Sequence, residues 1–214
     1  MRTMLDAVDP LHIPLTAAIV AGYIDGPESQ WPATGWARFA GHVRVAIATD
    51  PRTDNGHVLD VERYDATPAD ALPWVRMRRA AGCDPSVYCT ASSWAQITGL
   101  FGAASEPLPH WWAADWTGAP HLPEGAVACQ WTPGSYYDTS EVADFWPGVD
   151  NGQTWPDDVA RAVQQTVAPT VQLRVPTLPA TLAQLLAPVG SAAGYPTDAA
   201  WEAARAAYMA AIGA

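Results

Sequence analysis

The chain has 214 residues, nearly half of them apolar (49%), which suits one domain of ordinary size with a filled core and leaves room for an appendage. Its formal net charge is -11 and all eleven of its cations are Arg, so it lacks the clustered basic surface that a nucleic-acid partner requires. The N-terminal MRTMLDAVDP holds no apolar run long enough for a signal peptide or a membrane span, and neither is expected.

Taken in chain order, short apolar runs alternate with helix signals up to about residue 150. AAIVAGYID (17–25) is the first run. Residues 33–40 then fit a short helix, followed by HVRVAIATD (42–50) and HVLDVE (57–62). Several of these runs are too continuous for half-exposed strands and read as strands covered on both faces, as in a parallel sheet or barrel. Thr67-Pro68 gives an N-cap followed by Pro at the first helical position, and Gly82 supplies the stop. Arg76, Arg78 and Arg79 on that helix read as a solvated face. PSVYCTAS (85–92) leads into a helix over 92–102, and HWWAADW (110–116) and GAVACQW (125–131) are two further runs. The span from Tyr137 to Trp146 allows one more short strand and a turn of helix. The alternation predicts an α/β fold, a barrel or an open sheet, over residues 1–150.

After Asp150 the character changes. Residues 151–167 fit a helix with Thr154 as cap and Pro156 in its first turn. Residues 168–196 are rich in Pro, Ala, Thr and Val and read as an extended arm, and 197–213 form a helical pattern with Trp201, Arg205 and Tyr208 at helical spacing. The terminal helix either packs on its own domain or docks to a partner, so 151–214 is read as a C-terminal extension.

The chemistry concentrates at run ends. Side chains alternate along a strand, so Asp60 and Glu62 share a face with Cα atoms about 7 Å apart. Two carboxylates this close cannot both ionise freely, and one keeps its proton to higher pH. A protonated acid beside an ionised one is what glycosidic cleavage requires. The bland alternative is that Asp60 caps the next loop and Glu62 pairs with an Arg. Asp25, Tyr88, Trp112, Trp116, Gln130 and Asp138 stand at or near the ends of the other runs. If the strands close, these residues converge on one mouth lined with carboxylates and aromatic rings, a surface suited to carbohydrate. The five His are scattered and the three Cys (Cys83, Cys89, Cys129) lack ligand spacing, so no metal and no cofactor is expected.

The ordered series YIDG, VLDVE, PSVYCTASSW, WWAADW, CQW and YYDTS, over roughly residues 18–145, resembles glycoside hydrolase family 25, the N-acetylmuramidase lysozymes common in bacteriophages and actinobacteria. The resemblance implies a TIM-like (β/α) barrel, cleavage of the peptidoglycan glycan strand, Glu62 as general acid and Asp60 orienting or stabilising the substrate. Asp25 and Asp138 would flank and tune the pair. Tyr88, Trp112, Trp116 and Gln130 fall on the strands that line the substrate site. The interval between Asp25 and Asp60 is short for this family and leaves the expectation of a reduced barrel, one βα unit missing. Two functions follow. One is a phage-encoded muramidase that reaches the wall from the virion or after release. The other is a virion structural or wall-binding protein on a hydrolase-like barrel, with residues 168–214 contacting virion proteins.

Overall fold

A computed structural model of the chain describes residues 1–26 and 29–151, all within the unit Met1–Pro169. The expectations for residues 152–214 lie outside the described residues. Eight strands close into a barrel in chain order: β1 (Arg2–Asp6), β2 (Ile19–Tyr23), β3 (Val43–Ala48), β4 (Val58–Asp60), β5 (Ser86–Thr90), β6 (His110–Ala114), β7 (Ala126–Thr132) and β8 (Asp138–Val142). Strands β1 to β7 run parallel, and β8 lies antiparallel to both β7 and β1. Full closure leaves no strand edge to protect. All six long apolar runs become strands.

Three helices follow, α1 (Ala33–Arg38), α2 (Pro68–Ala80) and α3 (Ala91–Ala104), of which α2 and α3 start at threonine caps. At the start of α2 the Asp70 carboxylate accepts from Thr67 N at 2.8 Å, and beyond its end Gly82 takes a positive φ of 81°. Thr90 caps α3 by accepting from Ser93 N at 3.3 Å.

Two expectations are corrected. The barrel does not lack a strand: the N-terminal segment, read only for targeting signals, supplies β1. Economy is made in the helices instead. The β1–β2 connection carries a single 3-10 turn, Pro10–His12, and the β3–β4, β6–β7 and β7–β8 connections carry no helix at all. Indoles help cover the outer strand surface near β1 and β2. Trp31 packs on Trp36 and Phe39 with centroids 4.6 Å and 5.8 Å away, and its Nε1 donates to Ala7 O at 2.8 Å. The second correction concerns α2, whose Arg78 is not solvated. It is 5% exposed, pairs with Asp54 at 2.7 Å and donates to Gly56 O at 3.2 Å. Arg76 pairs with Glu106 at 3.0 Å, and Arg79 donates to the carbonyls of Pro107 and Leu108. The three cations fasten loops to the helix.

Strand alternation separates the core into two layers. Val20, Ala46, Leu59, Val87, Trp111, Ala113 and Cys129 belong to the outer layer, packed with α2 and α3 residues such as Trp74, Ile97 and Phe101. Met4, Ile19, Ala21, Val45, Ile47, Val58, Trp112, Ala128 and Val142 fill the interior. Trp146 joins them, fully buried, edge-on to Trp112 with centroids 5.8 Å apart, and donates to Ser86 Oγ at 2.8 Å. Trp112 donates to Ser140 Oγ at 3.1 Å and meets Tyr88 edge-on at 4.9 Å. One position further along the inward face, the residues turn polar.

Candidate active site

Inward positions at or near the ends of five strands carry the site. They are Asp6 on β1, Tyr23 on β2, Asp60 on β4, Tyr88 on β5 and Gln130 on β7. Because β8 runs the other way, its first residue, Asp138, reaches the same mouth and stands opposite Asp6. With Glu62, just beyond β4, and with Trp112 and Trp116, these residues line one cavity of about 360 Å³. A second cavity of about 390 Å³ adjoins it, sharing Asp6, Tyr23, Gly134 and Asp138 and continuing past His12 and Tyr136. The two make a groove across the β1–β8 seam.

Gln130 is the hub. Its Oε1 accepts from Tyr88 Oη at 2.5 Å and from Trp116 Nε1 at 2.8 Å. That leaves Nε2 to donate to Asp138 Oδ2 at 3.0 Å and Asp6 Oδ2 at 3.4 Å. Asp138 Oδ1 accepts from Gly134 N at 2.8 Å, so the β7–β8 turn also holds this carboxylate.

The acids repel one another in a partly dry site. Asp6 is pushed up to about 8, by burial first and then by Asp138. Asp60 is raised well above the usual carboxylate range, by burial and then by Glu62, Asp65 and Asp6. Glu62 is raised by burial, Asp65 and Asp138. Burial also raises Asp138, against the hydrogen bonds from Gly134 and Gln130. Asp60 Oδ1 and Asp6 Oδ1 are buried without a hydrogen-bond partner. A buried carboxyl oxygen in that condition favours the protonated form or an incoming ligand group.

Of the residues singled out from the sequence, Glu62, Asp60, Asp138, Tyr88, Trp112, Trp116 and Gln130 all line this cavity. Trp112 forms its buried floor, whereas Trp116, 60% exposed, stands at its rim. Asp25 lines neither cavity. Its carboxylate accepts from Thr49 N at 2.7 Å, Thr49 Oγ1 at 2.9 Å and Asp50 N at 3.3 Å, which ties β2 to the loop after β3. Its charge touches the site only by raising Asp65. Asp6 and Tyr23 were missed. TMLD is a short apolar segment ending in an acid, the same signal as YID and VLD, but its position in the N-terminus drew attention to targeting instead.

Oxygen ligands for a cation are present. Asp60, Glu62 and Asp65 each bring one carboxylate oxygen within 4.8 Å of the other two. Comparison with protein-family models, curated proteins and solved structures gives no match, so the site is read from its own chemistry.

Proposed function

We propose that the chain is a peptidoglycan-cleaving glycosidase of the muramidase type, working on a reduced (β/α) TIM-like barrel. The observation that carries the reading is the composition of one cavity: Asp60, Glu62 and Asp138 face Tyr88, Trp112 and Trp116 across the barrel mouth. Aromatic rings offer faces to sugar C–H groups, and carboxylates accept from sugar hydroxyls.

Glu62 is the general acid in this reading. It is exposed at the open side of the cavity, where a glycosidic oxygen can approach, and partial burial, then Asp65 and Asp138, raise its proton affinity. Asp60, 2% exposed, lies too deep to reach a leaving group and instead offers its carboxyl group to a substrate N–H or O–H from the cavity wall. Asp138 is held by Gly134 and Gln130 on the far side and supplies negative charge for a cationic transition state. The groove running past Tyr136 gives room for a neighbouring sugar. A phage origin fits a hydrolase delivered from the virion or released at lysis, with residues 168–214 as the segment for virion partners.

The test is dye release from actinobacterial peptidoglycan by wild type and Glu62→Gln. Wild type clears the substrate, and the variant loses about 10²- to 10⁴-fold, the usual worth of a positioned acid, with an unchanged circular dichroism spectrum. Failure of wild type to release dye would transfer the reading to a non-catalytic virion or wall-binding protein.

A further inference from the structure

The turn after β4 folds back on itself. Asp65 N donates to Glu62 O at 3.2 Å, Ala66 N donates to Asp60 O at 3.2 Å, and Tyr64 takes a positive φ of 82°. The turn returns the Asp65 carboxylate to the pair at the strand end, so three donor oxygens lie within 4.8 Å of one another. None of the three acids forms an ion pair among the described residues. Arg63, next in sequence to Glu62, holds its guanidinium over the Tyr64 ring, 4.7 Å from the centroid. The innermost member, Asp60, is 2% exposed, and its Oδ1 has no hydrogen-bond partner. Asp60 brings one carboxylate oxygen to the cluster and the protein leaves its side chain unsatisfied, a condition that a cation relieves.

We propose that Asp60, Glu62 and Asp65 form a binding site for a hard divalent cation of the calcium class. The donors are all carboxylate oxygens, with no imidazole or thiolate among them, which selects hard cations over zinc or copper. A shell of three carboxylates completed by water suits calcium, which takes six to eight oxygens in irregular geometry, better than magnesium, which demands a near-ideal octahedron. Glu62 and Asp65 are exposed, so water completes the coordination from the open side. A cation here occupies the Glu62 carboxylate that would otherwise face a glycosidic bond. The consequence for lysis, inhibition by calcium, rests on the muramidase reading; the binding site itself does not.

Terbium(III), which takes calcium-like oxygen coordination, is the probe, titrated into the full chain with excitation through tryptophan. Wild type should give a saturable signal displaced by CaCl₂. Asp65→Asn should bind at least tenfold more weakly, and Glu124→Gln, which removes an exposed acid elsewhere, should bind as wild type does. Calcium should raise the Tm of wild type and leave that of Asp65→Asn unmoved. A signal that does not saturate, or equal affinity in wild type and Asp65→Asn, overturns the site. Dye release run in EDTA separates the two claims. Release by a protein that binds no terbium saturably leaves the glycosidase and removes the cation site. Saturable binding by a protein that releases no dye does the reverse.

Discussion

Asp6 and Asp138 stand directly opposite each other on the antiparallel strands that close the barrel, and Gln130 Nε2 reaches both carboxylates. Like charges in facing strand positions repel, so the seam is more stable when one of them is neutral. Asp6 is the one, buried and pushed up to about 8.

The pH dependence follows from that shift. A carboxyl whose folded pKa lies above its ordinary 3.8 contributes stability that is whole below about pH 4 and is lost as pH rises through about 8. The slope for one proton is at most about 1.4 kcal/mol per pH unit. Asp6→Asn stays neutral and keeps an acceptor for Gln130. Its Tm should therefore fall less steeply than that of wild type between pH 4 and pH 8, the two curves diverging upward. Parallel curves would show that Asp6 titrates in the ordinary range.

His57 has the opposite sign. Ala46 N donates to its Nδ1 at 2.9 Å, which requires an unprotonated nitrogen there. Burial first, then Arg78 and Arg44, lowers it to about 4. Stability from this group is present above its ordinary 6.5 and lost as pH falls through about 4. Asn at 57 preserves an acceptor without titrating, so His57→Asn should lose less stability than wild type between pH 6.5 and pH 4. Denaturant titrations at pH 7 and pH 4.5 measure the difference, and an identical acid loss in both proteins would place the acid sensitivity elsewhere.

Much of this barrel was legible because its strands bury both faces. Continuous runs such as IVAGY and SVYCT cannot be half-exposed, and each became a strand. Asp60 and Glu62 do line one cavity, but β4 ends at Asp60, so the turn beyond the strand, and not strand alternation, brings Glu62 there. Asp25 shows the limit of reading an acid from its place at a run end. It follows an apolar run as Asp60 does, yet a threonine on the next strand's loop satisfies it. Which partner lies within reach is tertiary information. Arg78 misled for the same reason, since a loop carboxylate 24 positions away draws it inward. The antiparallel direction of β8 was hidden because a five-residue strand after a short turn reads the same in either sense.

Gly22 tests the indole cover that stands in for a helix. It lies in β2, where a Cβ would fall inside the Trp31 ring. Trp31 is 3% exposed and pinned by its bond to Ala7 O, so it has no room to withdraw. Gly22→Ala should cost about 1–3 kcal/mol by overpacking. Urea denaturation checks this, with Gly99→Ala as a control, since nothing lies within 4 Å of a Cβ built there. Equal behaviour of the two variants would mean that Trp31 moves freely.

Gln130 is the position at which one atom separates a satisfied site from a repulsive one. Its Oε1 serves Tyr88 and Trp116, and its Nε2 serves Asp6 and Asp138. Gln130→Glu keeps the first role and replaces the second, setting a third carboxyl against two that are already raised. At neutral pH the variant should lose about 2–4 kcal/mol, the range for leaving a buried charge or donor set unpaired. At pH 4.5 the added carboxyl can take a proton and donate as the amide did, so most of the loss should be recovered. Gln130→Met, which removes both roles, should be destabilised at both pH values. If Gln130→Glu loses as much at pH 4.5 as at pH 7.5, the defect is one of packing, and the amide is not what keeps the two aspartates together.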